Sequence, residues 1–289
     1  MKKYSLERKE GTPGRSEGLS RSQLKTLRAL KMKKGREQQG RFLVEGVHLC
    51  SEALGYRHPP VLLLYTPAGF RIQEIKETVV RAQQNGVPNL KVSEATLGSL
   101  ADATTPQGII AVMSKPTPET FPGEGHVFVL LDQVRDPGNA GTIIRTADAA
   151  GADGVYLTTG SVDLYNPKVL RSTQGSIFHL PTATEVDPVT CLEAFKKRGI
   201  RVFAADPRAA RIHTEVRYPG RFVLVAGNET HGISREVRQR ADHSIRVPIP
   251  GRAESLNVAM ACGVILYEAL RQRQKRKPPQ NRRIKRRRR

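Results

Sequence analysis

The residues best suited to chemistry lie in three short segments of the second half of the chain. The first, NAGTIIR at residues 139–145, places an asparagine and an arginine near the start of a predicted helix. Arg145 follows Ile143 by two residues, roughly 200° around a helical axis, so it points away from the apolar side. A guanidinium in that place suits a phosphate or a reacting hydroxyl. Taken alone, the segment better fits a surface arginine paired with Asp148.

The second segment, GNETHG at residues 227–232, follows a predicted buried strand. Its flanking glycines indicate a tight loop that approaches a ligand closely. Glu229 is placed either to orient Arg145 or to accept a hydrogen bond from a ligand or from the main chain. The alternative is an ordinary turn in which Glu229 is an acid of the first helical turn. A lone loop histidine such as His231 is usually solvated, so it receives no role.

The third segment, VPIPGRAESLN at residues 247–257, combines two prolines and a glycine in a rigid loop. Ser255 suits the N-cap of the helix that follows. Asn257 stands at the start of an otherwise apolar helix, which predicts that it holds a polar group of a ligand. All three segments follow predicted strands, where open parallel sheets bind their ligands.

Several common sites are missing from the sequence. It contains neither GxGxxG nor GxxxxGK[ST], which argues against a dinucleotide or P-loop fold. Cys50, Cys191 and Cys262 form no CxxC pair and no HExxH is present, so we expect neither metal nor disulfides. The longest apolar run, residues 258–267, is too short to cross a bilayer, and the N-terminus carries no secretory signal. These features predict a soluble, cytoplasmic protein without membrane contact.

Alternating strands and helices must position the three segments. In the second half, strands are predicted at residues 127–132, 155–159, 201–206, 222–226 and 244–247. Helices are predicted there at residues 141–150, 167–174, 190–198, 234–240 and 256–273. Runs such as VFVLLD and FVLVAG indicate strands buried on both faces of a parallel sheet. The first half also alternates, with strands at 41–45, 61–65 and 108–113 and helices at 20–30, 46–54 and 72–84, and predicts a smaller α/β domain.

Positive charge is concentrated at the two ends of the chain. Of the net charge of +21 over 289 residues, residues 1–36 contribute +9 and residues 271–289 contribute +12, so the remainder is neutral. Basic arms bind phosphate backbones by counterion release, which makes nucleic acid the expected partner; a solubilising tail is the alternative. The predicted organisation is a disordered basic arm (1–19), a first domain (20–114), a Pro- and Gly-rich linker (115–125), a second domain (126–273) and a disordered basic tail (274–289).

Taken together, the three segments resemble the SpoU-type, or TrmH-like, RNA ribose 2′-O-methyltransferases of the SPOUT superfamily. The family pattern is NxGxxxR, then GxExxG, then a proline-rich loop ending in SLNV, and this chain carries it in that order over residues 127–273. Two departures are conservative in size: VPI replaces the usual IPM, and alanine follows SLNV. The first half resembles the family's L30e-like substrate-binding domain through GRFLVEGVH (40–48) and QGIIAV (107–112).

The resemblance implies more than the residue patterns do. It implies a C-terminal trefoil-knotted α/β domain, where the patterns alone predict an open doubly wound sheet, since knots are nearly absent from proteins. It also implies S-adenosyl-L-methionine as cofactor and a homodimer in which the partner subunit supplies the catalytic arginine, here Arg145. The residues that it implies in support of catalysis are Asn139, Glu229, Ser255 and Asn257. Those that it implies in the cofactor pocket are Gly227, Val247, Ile249 and Leu256.

The three motifs, the L30e-like first half and the basic residues around Lys25–Arg36 together resemble the members of the family that modify ribosomal RNA. Predicted RNA contacts are Lys25, Arg28, Lys33, Lys34, Arg36 and Arg41. Transfer RNA, a base or small-molecule acceptor, and a non-catalytic RNA-binding assembly factor are the alternatives; intact Arg145, Glu229 and Asn257 argue against the last. An arginine is fully charged at neutral pH, so we expect Arg145 to bind phosphate and stabilise the forming alkoxide.

Overall fold

The computed structural model describes residues 19–116, 124–218 and 220–276, which form two α/β units. The first unit contains a four-stranded mixed sheet in the order β1–β4–β2–β3. Its strands are β1 (Arg41–Glu45), β2 (Leu62–Tyr65), β3 (Asn89–Lys91) and β4 (Ile109–Ser114). Its helices are α1 (Arg21–Ala29), α2 (Lys33–Gln39), α3 (Val47–Gly55), α4 (Gln73–Gln84) and α5 (Glu94–Leu100).

Alternation along β4 explains how helices cover both faces of this sheet. Ile110 and Val112 pack with leucines of α1 and α5, whereas Ile109 and Ala111 pack with apolar residues of α3 and α4. Successive strand residues point to opposite faces, so a continuous apolar run becomes a strand buried on both sides. Ser20 fixes the start of α1 through a reciprocal capping box with Gln23.

The second unit is built on a seven-stranded parallel sheet in the order β7–β6–β5–β10–β8–β11–β9. Its strands are β5 (Val127–Asp132), β6 (Gly154–Thr158), β7 (Thr182–Val186), β8 (Arg201–Ala205), β9 (Arg211–Ile212), β10 (Phe222–Gly227) and β11 (His243–Arg246). Its helices are α6 (Pro137–Ala149), α7 (Pro167–Thr173), α8 (Pro188–Lys197), α9 (Arg235–Arg240) and α10 (Val258–Arg276).

The two central strands, β5 and β10, are parallel neighbours although they are far apart in the chain. Every residue of both strands is buried, as the apolar runs predict. β5 pairs with β6 on its other side, so the order of the strands reverses here. Open α/β sheets bind their ligands at the carboxyl ends of the strands at such a switch point. Asp132 and Gly227 pair across that edge.

The last helix, α10, packs against α6 and β10. Its buried face is apolar and consists of Ala259, Cys262, Ile265, Leu266 and Ala269. Arg273 lies near its end and donates a hydrogen bond to the carbonyl of Ala150, which caps α6. The three cysteines of the chain are buried free thiols, as expected.

Most predicted elements appear within two residues of their expected bounds, but the start of α6 does not. It begins at Pro137, four residues before the prediction, because the Asp136 carboxylate accepts a hydrogen bond from the Asn139 amide. Pro137 suits the first helical turn, where no amide donor is needed. Two α-helices and three strands among the described residues were not predicted: α2, α5, β3, β7 and β9.

The predicted ends of the second domain also shift. α10 starts two residues later than expected and continues to Arg276, so the tail expected to be disordered from residue 274 begins inside a helix. The remainder of that tail, the arm at residues 1–18 and residues 117–123 of the predicted linker lie outside the described residues. The strand order agrees with the parallel sheet that was expected, and the trefoil knot stays a prediction.

Charged side chains join the two units. The guanidinium of Arg36 is 4% exposed and donates from Nε and Nη2 to the Asp163 carboxylate at 3.0 and 2.5 Å. Its Nη1 donates to the carbonyls of Leu30 and Lys31. Three further ion pairs cross the same interface: Lys33–Glu185 at 3.2 Å, Arg171–Asp102 at 2.6 Å and His179–Glu52 at 3.1 Å. These contacts hold the first unit against the second in one orientation.

Candidate active site

Side-chain hydrogen bonds join the three segments that were predicted to form the site, residues 139–145, 227–232 and 247–257. Asn139 donates from Nδ2 to Glu229 Oε1 at 3.0 Å, and its Oδ1 accepts from Asn257 Nδ2 at 2.8 Å. Asn139 therefore stands between the other two, at the third residue of α6. The sequence predicted all three as site residues, and the structure brings them together.

Glu229 holds the turn that leads into α6. Besides Asn139, its carboxylate accepts hydrogen bonds from the main-chain amides of Arg135 and Asp136, at 3.2 and 3.1 Å. Partial burial pushes the pKa of this carboxyl upward, but the hydrogen bonds from Asn139, Arg135 and Asp136 outweigh it, so the pKa lies below its usual value. The carboxylate is therefore ionised at the positive end of the helix.

Two interpretations of Glu229 are thereby decided. It bonds to the main chain, which was one of the expectations. The other expectation, that it orients Arg145, stays a prediction. Within one chain it does not contact Arg145, because its partners are Asn139 and the two amides. Nor is it an acid of a first helical turn, since α9 starts only at Arg235.

Asn257, and not Ser255, caps α10. Its Oδ1 accepts hydrogen bonds from the amides of Ala259 and Met260, at 2.9 and 3.3 Å. The prediction of Ser255 as the cap is wrong because α10 starts at Val258, two residues after the expected position. Ser255 itself is exposed and forms no hydrogen bond within the described residues. Asn257 thus performs two tasks, capping α10 and holding Asn139.

Arg145 is exposed on α6, away from the buried face, as predicted. Among the described residues it has neither a hydrogen bond nor an ion pair, and Asp148 pairs with His179 instead. The alternative of a surface Arg145–Asp148 pair is therefore wrong. Arg145 follows Asn139 by six residues, roughly 9 Å along the helix axis. The arginine of a chain thus lies apart from that chain's own Glu229–Asn139–Asn257 cluster.

Gly227 is required by the shape of its own loop. A Cβ atom there would lie 2.4 Å from the carbonyl carbon of Gly232 and 2.5 Å from the amide nitrogen of Ile233. Asn228 and Gly232 exchange two main-chain hydrogen bonds that close the loop. The Asn228 side chain also accepts from the amides of Thr230 and His231. A side chain at position 227 would open this loop, whatever ligand it contacts.

We call the space between the loops that follow β10 and β11, at the carboxyl end of β8, the crevice. That strand lies between β10 and β11, so the loops that follow β10 and β11 flank it. Val247 and Ile249 are half-buried in the second loop, and Leu256 is exposed. Within the described part of the chain, residues 248–256 form no main-chain hydrogen bond. Apolar side chains beside free amide and carbonyl groups suit the flat face and polar edge of an adenosine.

Each of the two units matches a different protein family. Residues 126–267 match the SpoU rRNA Methylase family, and residues 21–111 match the MRM3-like substrate binding domain. The chain is 34% identical to the 23S rRNA (guanosine(2553)-2′-O)-methyltransferase RlmP of Bacillus subtilis, over 87% of this chain and 97% of that protein. This chain belongs to the SpoU rRNA methylase family. Membership makes it an S-adenosylmethionine-dependent RNA methyltransferase.

Two further comparisons support the assignment along most of the chain. An uncharacterized tRNA/rRNA methyltransferase of Synechocystis is 35% identical, over 86% of this chain and 90% of the relative. The structure of the SpoU methyltransferase AviRb from Streptomyces viridochromogenes, in complex with AdoMet, superposes with a TM-score of 0.78. It is 30% identical and covers 88% of this chain and 98% of its own. The expected fold class, an α/β SPOUT-type methyltransferase domain with a smaller α/β domain, is confirmed.

The sequence missed two residues that support the SpoU site. Gln133 has a φ of +56°, and its amide donates to Thr158 Oγ1 while its carbonyl accepts from Asn228 Nδ2. This left-handed residue turns the chain from β5 toward α6, yet glutamine gives no sequence signal for it. Beside it, the Asp132 carboxylate accepts from the Ser234 amide, and burial raises its pKa.

The predicted RNA contacts separate into two groups. Lys25, Arg28 and Lys34 are exposed and Arg41 is half-buried on the first unit. The prediction for Arg36 is wrong, because its side chain is buried against Asp163 between the units. Lys33 is exposed but pairs with Glu37 and Glu185.

The described residues contain no group of three or more His, Cys, Asp or Glu side chains placed to hold a metal ion. No helix among them is both long and apolar enough to cross a bilayer.

Proposed function

We propose that this SpoU methyltransferase transfers the methyl group of S-adenosylmethionine to a ribose 2′-hydroxyl of ribosomal RNA. The observation that carries the proposal is the Glu229–Asn139–Asn257 chain, which joins all three family motifs at one site. RlmP, whose name states a 23S rRNA 2′-O activity, matches both units of the chain. The RNA contacts of the proposal are the exposed residues Lys25, Arg28 and Lys34 and the half-buried Arg41.

The residues of the crevice fit the cofactor. We assign Val247, Ile249 and Leu256 to its apolar contacts, and the loop that begins at Gly227 to its wall. The unpaired main-chain groups of residues 248–256 match the polar edge of the adenine ring. When bound, S-adenosylmethionine supplies an electrophilic methyl group. Ser255 lies in the same loop, is exposed and is free of protein hydrogen bonds, so it remains a supporting residue of the site.

Arg145 acts on the RNA side of the reaction. A ribose hydroxyl is a poor nucleophile at neutral pH and must lose its proton as it attacks. Arg145 stays charged, has no partner within the described residues, and is therefore free to bind the adjacent phosphate and stabilise the developing alkoxide. The proton leaves to water or to phosphate. Holding the hydroxyl in line with the methyl group supplies much of the remaining rate.

A second copy of the chain completes the site in this proposal. Three apolar residues of α10 are exposed on one stripe: Met260 (62%), Val264 (38%) and Tyr267 (50%). Their spacing of three and four places them along one helix face. In a two-fold dimer the stripe of one chain would pack against the same stripe of the other chain. This arrangement would also bring Arg145 of one chain to the loops of the other. The trefoil knot and a cytoplasmic location belong to the same proposal.

Methyl transfer to separate RNA pools tests the function. Purified enzyme is incubated with tritiated S-adenosylmethionine and with ribosomal or transfer RNA, and the modified nucleotide is mapped by resistance to alkaline cleavage. We expect label in ribosomal RNA at one ribose. Arg145→Ala is the matched control, with activity reduced by about 10²–10³ and cofactor affinity unchanged. Label in transfer RNA alone, or on a base, would contradict the proposal.

A further inference from the structure

His179 lies between two carboxylates that belong to different parts of the molecule. Its Nδ1 is 2.9 Å from Asp148 Oδ2 on α6, and its Nε2 is 3.1 Å from Glu52 Oε2 on α3. α3 belongs to the substrate-binding unit, whereas α6 carries Arg145 one helical turn before Asp148. The imidazole thus connects the unit that binds RNA, in the proposed function, with the helix of the catalytic arginine.

The two contacts require the ring to carry both of its protons. An ionised carboxylate only accepts hydrogen bonds, so each ring nitrogen must donate. A neutral imidazole has a single N–H and would leave one of the two carboxylates facing a lone pair. The hydrogen bonds to Asp148 and to Glu52 accordingly raise the pKa of His179 above its usual value.

The surroundings of the ring show that the contact is built into the interface. The charged groups that face it are Glu52 from α3 and Asp148 from α6. One turn before Glu52, His48 makes a hydrogen bond from Nε2 to the carbonyl of Gln174. Gly175 lies so close to α3 that a Cβ there would come within 2.8 Å of Glu52 Cγ. The turn that precedes His179 is therefore packed directly on α3.

We propose that His179 is a positioning residue for methyl transfer, whose imidazolium ties the RNA-binding unit at Glu52 to the Arg145 helix at Asp148. RNA held by the first unit then meets Arg145 at a fixed distance and angle. This rests on the proposed function for the identity of the acceptor. We call this link from Glu52 through His179 to Asp148 the tie. Its loss leaves the RNA contacts and the cofactor crevice in place but misaligns them. Misalignment lowers kcat and leaves KM unchanged.

Kinetics of three full-length variants test the tie. His179→Gln imitates the neutral ring, because its amide offers a donor to only one carboxylate. We expect its kcat on ribosomal RNA to fall roughly ten-fold, with KM for RNA and affinity for S-adenosylmethionine unchanged. His179→Arg donates to both carboxylates at every pH and restores kcat. His58→Gln, which replaces an exposed histidine of the first unit, is the matched control with wild-type kinetics.

The pH dependence separates a positioning role from a merely structural one. The tie is present below the raised pKa of His179 and is lost as pH rises through it. The ratio of wild-type kcat to that of His179→Arg should therefore fall at high pH. Any pH dependence of the chemical step itself affects both proteins equally and cancels in this ratio. A constant ratio, a fully active His179→Gln at pH 6.5, or failure of His179→Arg to restore kcat would overturn the proposal.

A measurement without RNA keeps this test independent of the proposed function. Amide hydrogen exchange in α3 and in the last turn of α6 should be faster in His179→Gln than in the wild type, and slow again in His179→Arg. If no RNA is methylated but exchange follows this pattern, the proposed function fails and the tie remains. Identical exchange in all three proteins would overturn the tie, whatever the activity.

Discussion

The side-chain nitrogen of Asn257 donates to the side-chain oxygen of Asn139 across 2.8 Å, and this bond joins the starts of two helices that are 118 residues apart. Asn139 lies in the first turn of α6, and Asn257 caps α10. The same bond sets the orientation of the Asn139 amide, because its nitrogen must face the Glu229 carboxylate. The site is therefore assembled only when the last helix has docked on the sheet.

Exchange of Asn257 for aspartate should separate its two tasks. Aspartate caps a helix as well as asparagine does, so we expect the melting temperature of Asn257→Asp to stay close to the wild type. Its carboxylate cannot donate to Asn139 and repels that oxygen, so methyl transfer should fall sharply. Asn257→Ala should lose both tasks and destabilise the protein by about 1 kcal/mol. Thermal unfolding and methyl transfer measure the two effects, and wild-type turnover by Asn257→Asp would refute the separation.

Glu229 should make stability depend on pH. Its pKa is lowered in the folded protein, so its contribution is fully present above the ordinary pKa of glutamate and is lost as pH falls through the lowered value. Glu229→Gln keeps the shape of the side chain but removes the charge that faces the Arg135 and Asp136 amides. Urea unfolding should show a gap between wild type and variant at pH 7 that closes in acid. A gap independent of pH would contradict this origin.

The sequence predicts single residues of this site better than their contacts. Asn139, Glu229 and Asn257 were found because each follows a strand end in a recognisable motif. Their mutual bonds were not predicted, since they depend on the order of strands in the sheet and not on local spacing. Arg36 illustrates the same limit. Because it stands among lysines in the sequence, it was predicted to contact RNA phosphate, but its partner is Asp163, 127 residues away.

The Arg36–Asp163 pair should be costly to break from one side. Both side chains are largely buried, so removing one charge leaves the other without a partner between the units. Arg36→Ala should lower the free energy of unfolding by about 3–5 kcal/mol. The double variant Arg36→Leu with Asp163→Leu should cost less than Arg36→Ala, because no buried charge remains. Urea unfolding of the single and double variants measures both, and an equally large loss in the double variant would contradict the argument.

Relief of backbone strain at Gln133 should stabilise the protein. A side chain in the left-handed region costs about 1–2 kcal/mol. Glycine avoids this cost but loses more conformational entropy on folding, which offsets roughly half of the gain in stability. Gln133→Gly should therefore raise the free energy of unfolding by roughly 0.5–1 kcal/mol. Gln133→Ala, which keeps the Cβ atom, is the matched control without a gain. A melting temperature below that of the wild type for Gln133→Gly would show that the side chain itself supports the turn.

Sharing of the site between subunits can be tested by mixing two inactive variants. Arg145→Ala lacks the RNA-side arginine, and Leu256→Asp places a charge in the cofactor crevice. Leu256 is chosen because its side chain is exposed, whereas a substitution at Gly227 would collide with the main chain of its own loop. Each variant alone should be inactive and should keep the wild-type melting temperature.

If the arginine comes from the partner, a mixed dimer contains one site with both parts intact and one site with neither. Random exchange makes about half of the dimers mixed, so about a quarter of the wild-type activity should return. If each chain used its own Arg145, no site in any dimer would be whole and activity would stay at background. Native mass spectrometry confirms that mixed dimers have formed. Background activity in their presence would exclude the shared site, because the exposed stripe of α10 would then join two chains that each work alone.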